Sequence, residues 1–362
     1  MRLLNNAAAY KVWIFAPYLE TDDPTLKFYY DYTQSIAEYT KVFAEINCEW
    51  EWVNVTLNNL NEAIAKVKSN TSKKNIVLNL CDGDEINDVP GVSVIHALDK
   101  NKMTYTGSDS YFYQVTTSKI TMKEVFDNHG VAMPRWVKLN GHVDKNMFKK
   151  IGNPAIVKPA ISAGSMGIGV KNVVSDFDEL KEIVTAIKKG YKGWNLHKEG
   201  LLAEQFIIGK EFTTLLVGSY DQPDKIKFYH PIERVFHPSL PEKEQFLSFE
   251  RLWESYEVES PMPDQGFFYE YDAVSCPELT ARLKELSIDA FKAVKGKGYA
   301  RIDIRMEKDT QKLFVLEINA QCGLSDDENY TSIGAILRVS NKTFTDLIVE
   351  VLDDALLRTS TP

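Results

Sequence analysis

The chain has 362 residues, of which 44% are hydrophobic and 26% charged, with a formal net charge of −9. That length allows two or three domains with sizeable cores, and the composition is ordinary for a soluble globular protein. Scattered Lys and Arg exclude the basic stripe of a nucleic-acid binder, no apolar run is long enough to span a bilayer, and Met1–Asn6 lacks the apolar stretch of a secretory signal.

Val12–Phe15 is an apolar run ending at Ala16-Pro17 and reads as a first buried strand. A helix over Tyr30–Glu45, a strand over Trp50–Val55, a helix over Asn59–Lys68 and a strand over Asn75–Leu80 follow. This alternation predicts a mostly parallel sheet. Cys81-Asp82-Gly83-Asp84 then falls at a strand's carboxyl end, where ligands of such sheets collect. A helix over Ser118–His129 stops at Gly130, and a strand runs over Arg135–Leu139. Ser175–Lys189 is a helix with Ser175 as its cap. Phe236–Phe267, rich in Pro, Glu and aromatics with weak periodicity, reads as a lid or substrate loop. Pro277–Lys295 is helical, Ala300–Met306 and Leu313–Ala320 are strands, and Lys342–Leu357 is a closing helix. The four cysteines, Cys48, Cys81, Cys276 and Cys322, form no CxxC pair and are expected as reduced thiols of a cytoplasmic protein.

Three segments carry chemistry. In a strand, alternate side chains share a face, so Arg301, Asp303 and Arg305 point one way, and Glu317 and Asn319 share one face of the next strand. If the apolar faces pack together, Asp303, Glu317 and Asn319 converge on a cleft as oxygen ligands suited to magnesium and polyphosphate. The same pattern also describes a solvated strand face. Ile156–Val170 is a strand ending in Lys158, a loop of small residues, and a further strand. Such a loop lets backbone N–H groups approach phosphate, and a tight glycine hairpin is the alternative. In Leu201–Phe212, Glu204 among apolar neighbours could take an adenine amino group and Glu211 ribose hydroxyls, or both could be acids of an edge strand.

In this order, Lys119, the Lys158 loop, Glu204 to Glu211, Arg301-Ile302-Asp303 and Glu317-Ile318-Asn319 resemble the ATP-grasp superfamily, and within it the D-alanine–D-alanine ligase branch. Tyr105–Ser108 with Thr117-Ser118-Lys119, Gly298–Asp303 and Glu317–Gly323 are similar to that branch's motifs. The resemblance spans about Asn75 to Ala320.

It implies an α/β (α+β) ATP-grasp fold: an N-terminal parallel α/β domain (1–115), a small central domain (116–208) and a C-terminal mixed-sheet domain (209–362). It also implies a ligase that uses ATP and two magnesium ions, with manganese as an alternative, to form an amide through an acyl phosphate. The substrates would be a small-molecule carboxylate and an amine or second amino acid. Lys119 and Lys158 would meet the phosphates, with Ser165 and its loop closing over them. Glu204 and the Gln205, Phe206 and Ile207 backbone would read adenine, and Glu211 the ribose. Asp303, Glu317 and Asn319 would bind metal, while Arg301 and the Gly323 amide would steady negative oxygens. A homodimer is part of the same expectation; no nucleic acid or membrane partner is. An inactive nucleotide-binding module and a phosphotransferase are the rival functions.

The resemblance has gaps. The branch's substrate-holding acid after the first strand has only Glu20 as a counterpart, and the Lys-Tyr pair of its loop is missing at Val274-Ser275. Asp326-Asp327-Glu328 follow Gly323 where the branch has serines for a carboxylate. If those acids face the site, they favour a nucleophile without a carboxylate.

Overall fold

In the computed structural model the first apolar run becomes the centre of a parallel sheet. The structure describes residues 3–22, 27, 30–139, 143–162, 164–190, 194–252, 259–262, 266–328 and 331–359. Strand β1 (Tyr10–Pro17) lies between β2 (Glu49–Val55) and β3 (Lys74–Asn79). Residues Val12–Pro17 are all buried, because helices cover a parallel sheet on both faces. Ile14, Ile76 and Leu78 pack with Tyr39 and Phe43 of the helix Thr33–Glu45, and on to Phe344 and Leu347 near the C-terminus. Phe15 and Val77 pack the opposite face with Ile64, Val67, Val94 and Leu98.

The middle of the chain forms an antiparallel sheet of β4 (Trp136–Leu139), β5 (Ala155–Pro159), β6 (Val173–Val174) and β7 (Leu201–Gln205), in the order β4-β7-β5-β6. Two local expectations are corrected here. The helix is Phe177–Lys188 and its cap is Asp176, which accepts from the N–H groups of Asp178 and Glu179. The Ser175 N–H instead donates to Glu179 Oε2, at 2.6 Å. Asp and Ser cap equally well, so adjacent cappers leave the start ambiguous by one residue. The loop after Lys158 does not return directly to a strand: a 3-10 turn, Val170–Asn172, comes first. Ala163 of that loop lies outside the described residues.

The last sheet contains β8 (Gly209–Ser219), β9 (Lys227–Phe228), β10 (Ile232–Phe236), β11 (Tyr269–Ala273), β12 (Lys297–Glu307) and β13 (Leu313–Ala320). Its order is β11-β10-β8-β12-β13, with β9 on β8. Every one of these pairings is antiparallel, so the mixed sheet expected here is a purely antiparallel one. Ala300, Ile302 and Ile304 pack with Leu283 and Phe291 of the helix Pro277–Ala293 and with Met122 and Phe126 of the helix Lys119–His129. The latter helix is capped by Ser118 and ends at Gly130, whose φ of 68° favours glycine. On the other face Leu215, Val217 and Tyr299 meet the helices Ser332–Val339 and Phe344–Thr359. Among the described residues no helix is long and apolar enough to cross a membrane.

Candidate active site

Arg301 and Asp303 lie on the same face of β12 as Tyr299, and further along that face they border a cavity of about 420 Å³. That volume suits a small-molecule site. Strand register sets Asp303 opposite Glu317 and Arg301 opposite Asn319, and all four side chains line the cavity. Asp303 Oδ2 accepts from Arg301 Nη2 and from Asn319 Nδ2, each at 3.2 Å, while Oδ1 accepts from Thr213 Oγ1 at 2.9 Å. Glu317 Oε2 is 3.5 Å from Lys119 Nζ. Burial pushes the Glu317 carboxyl upward, but Lys119, Lys158 and Arg301 outweigh it and hold the group below the usual carboxylate range.

The glycine loop and β7 supply the other wall, with Lys158, Gly164, Ser165, Gln205, Phe206 and Ile207 all bordering the cavity. Glu204 is 1% exposed. One of its oxygens is 2.6 Å from Lys158 Nζ and the other 2.6 Å from Lys123 Nζ. Burial raises the Glu204 carboxyl, yet the two ammonium groups bring it down to about 2. Glu204 therefore faces two lysines rather than an open acceptor position. Glu211 is similarly engaged: Arg234 bonds Oε1, and Arg305 donates to Oε2 from Nε at 3.1 Å and from Nη2 at 3.0 Å. Arg234 also lies over the rings of Tyr269 and Tyr271, 5.1 and 5.5 Å from their centroids. The Phe206 N–H is taken by Pro154 O at 2.9 Å, and Ile207 O accepts from Arg305 Nη1 at 2.7 Å.

Lys123 and Arg234 were not singled out from the sequence. Lys123 stands one helical turn after Lys119, so its shared face was legible, but its partner on β7 was not. The expectation drawn from Asp326 and Asp327 is corrected. Asp326 is exposed, Asp327 Oδ2 accepts from Gln34 Nε2 at 2.7 Å, and neither lines the cavity, whereas Ser325, Thr331 and Ser332 do. The loop is drawn toward the helix Thr33–Glu45, where Glu38 accepts from Ser325 Oγ at 2.8 Å and from the Asp326 N–H at 3.3 Å. Glu20 is exposed and away from the cavity. Asp82 and Asp84 border it instead, from the end of β3. Asp82 is exposed at its surface, yet the protein packed around it desolvates the carboxyl and, with Asp84 adding to this, pushes it up to about 6.

An antiparallel sheet and a smaller four-stranded sheet that close on a cavity lined by lysines, a glycine loop and opposed acids define an ATP-grasp protein. A family model described as D-ala D-ala ligase C-terminus matches residues 124–353. The chain belongs to that family. It is 22% identical over 263 residues to the D-alanine–D-alanine ligase of Polynucleobacter asymbioticus, covering 71% of this chain and 67% of that one. It is 26% identical over 260 residues to the D-alanine–D-alanine ligase of Xanthomonas axonopodis pv. citri, covering 70% and 69%. The fold resembles a crystal structure of Bacillus anthracis D-alanine–D-alanine ligase complexed with ATP, with a TM-score of 0.67 at 18% identity over 97% of this chain and 98% of that one. The ligase from Coxiella burnetii gives 0.65 at 15% identity over 97% and 96%.

Proposed function

We propose that this ATP-dependent ligase joins two amino acids, or an amino acid and an amine, through an acyl phosphate. The observation that carries the reading is the meeting of Arg301, Asp303, Glu317 and Asn319 with Lys119 and Lys158 around one cavity. In the first step a substrate carboxylate oxygen attacks the γ-phosphorus of ATP and ADP leaves. In the second, an amine attacks the acyl carbon, phosphate leaves, and the amine's proton is lost. Lys119 and Lys158 neutralise phosphate oxygens, the amides of the loop around Ser165 close over them, and positioning supplies most of the rate. Gln205–Ile207 take the base and Glu211, with its guanidinium partners, the ribose.

Asp303, Glu317 and Asn319 would hold magnesium. The fit rests on donor chemistry: two opposed carboxylates and one carboxamide are hard oxygen donors suited to this ion. Magnesium commonly takes one or two carboxylates and completes its shell with water and phosphate oxygens, which matches this set. The bound ion would supply charge neutralisation at the phosphates. Arg301 steadies the oxygens of the acyl phosphate and of the tetrahedral intermediate, and the exposed Gly323 amide is the second donor. Asp82 takes a substrate ammonium, and Ser332, whose buried Oγ has no hydrogen-bond partner among the described residues, takes a carboxylate.

The test supplies ATP and magnesium with pools of amino acids, D-alanine among them, and of amines. It measures ADP and phosphate and identifies the product by mass spectrometry. Phosphate release that requires both substrates supports the ligase. Phosphate retained on one product supports a phosphotransferase, and no turnover supports a module without catalysis.

A further inference from the structure

We infer that the described residues around Phe246 and Glu259, in the segment between β10 and β11, belong to the nucleotide half of the cavity, where Phe246 forms a wall for the base and Glu259 is a positioning residue for the glycine loop. This rests on reading Gln205–Ile207 as the base-binding stretch and the loop around Ser165 as the phosphate cover. Sequence alone left the segment as a lid or substrate loop, and its residues 253–258 and 263–265 lie outside the described structure. The described part is not a loose lid. Phe246 is buried and lines the cavity. Its ring meets that of Phe206 edge-on, with centroids 5.7 Å apart, in one apolar cluster with Ile156 and Ile168. Just before it, Gln245 O accepts from Arg305, the arginine that also holds Glu211. Base wall and ribose acid therefore share one anchor.

The second contact is with the loop itself. Phe249 N–H donates to Ile168 O at 2.8 Å. Glu259 Oε1 accepts from the Val170 N–H at 2.9 Å, and Oε2 accepts from Ser248 Oγ at 2.6 Å. Arg251 Nε lies 3.5 Å from the same Oε2, while its Nη2 donates to Glu244 Oε2 at 2.5 Å. Glu259 is only 7% exposed. A Cβ at Gly169 would stand 2.9 Å from Glu259 Oε1, so a side chain there would displace this carboxylate end. A buried acid braced on one side and bonded to the loop backbone on the other fixes where the loop's amides stand before any phosphate arrives. Preorganised amides bind anions without reorganisation at the moment of binding.

The experiment compares the wild-type chain with Phe246→Ala, Glu259→Ala and Glu259→Gln. Calorimetry with magnesium measures binding of ATP, inorganic tripolyphosphate and adenosine, and amide hydrogen exchange over 164–172 is followed without nucleotide. Phe246→Ala is expected to weaken ATP and adenosine about tenfold and to leave tripolyphosphate unchanged. Glu259→Ala is expected to weaken ATP and tripolyphosphate by a similar factor, to leave adenosine unchanged, and to speed exchange at Val170. Glu259→Gln keeps an acceptor for Val170 but loses the charge facing Arg251, so it falls between. Wild-type affinities and exchange in the alanine variants overturn the inference, and the same result in Glu259→Gln does so if the alanine variant does not fold. A wild-type chain that binds no ATP refutes the ligase reading instead, and exchange at Val170 still decides whether Glu259 holds the loop.

Discussion

Replacing Lys123 with Met removes one arm of a buried Lys123–Glu204–Lys158 group in which Lys123 and Glu204 are each 1% exposed. Breaking a buried ion pair by deleting one partner costs about 3–5 kcal/mol, because the other charge stays desolvated. Here Lys158 still stands 2.6 Å from the second oxygen of Glu204, which places the loss at the lower end, about 3 kcal/mol. The carboxyl itself gives a comparable figure. Its fall from 4.5 to about 2 is the balance of the two lysines against burial, at about 1.4 kcal/mol per pH unit a net gain of about 3 kcal/mol for the carboxylate, whereas burial outweighs Glu204 at Lys123 and lowers that ammonium. Because the folded value is depressed, this stability is present above pH 4.5 and is lost as pH falls toward 2. Urea unfolding of wild type, Lys123→Met, Glu204→Gln and the double variant measures it. Lys123→Met should lose about 3 kcal/mol at pH 7, and the double variant less than the sum of the singles. Glu204→Gln should show a shallower decline between pH 4.5 and 2 than wild type. A Lys123→Met variant within about 0.5 kcal/mol of wild type, the spread of ordinary surface changes, would refute the coupling.

Two further outcomes concern catalysis. Arg301→Met should lower kcat by about 10²–10³ with little change in ATP affinity, as expected for a donor that acts on charge developing in the reaction; single-turnover kinetics and calorimetry separate the two. Asp82→Asn should raise the amino-acid KM about tenfold or more and leave the ATP KM unchanged, since a carboxylate–ammonium contact is worth about 1.5–3 kcal/mol. In wild type that KM should fall as pH rises through about 6, where the Asp82 carboxyl ionises, and initial rates across pH 5–8 with Asp82→Asn as control test this.

The strand pair β12–β13 was readable because period-two alternation sorts Arg301, Asp303, Glu317 and Asn319 onto one face without any knowledge of distant partners. The observed Leu313–Ala320 boundary matches that reading, and the opposed register follows from the short Glu307–Lys312 connection. What escaped was tertiary. Lys123 acquires its meaning only when β7 brings Glu204 against it. The acids after Gly323 looked like a specificity device because nothing local reveals Gln34 and Glu38, the latter 287 residues from Ser325 in sequence. The aperiodic stretch after β10 gave no hint that Glu259 would reach Val170, since its contacts are buried single bonds rather than a repeating face.

The acyl phosphate is the claim on which the rest depends, and oxygen tracing tests it most directly. Amino acids, D-alanine included, labelled with ¹⁸O in the carboxylate are turned over with unlabelled ATP, and the released phosphate is analysed by mass spectrometry. Transfer of one labelled oxygen to each phosphate is the predicted result, because the attacking carboxylate oxygen leaves with phosphorus. Unlabelled phosphate released alongside amide product would contradict it.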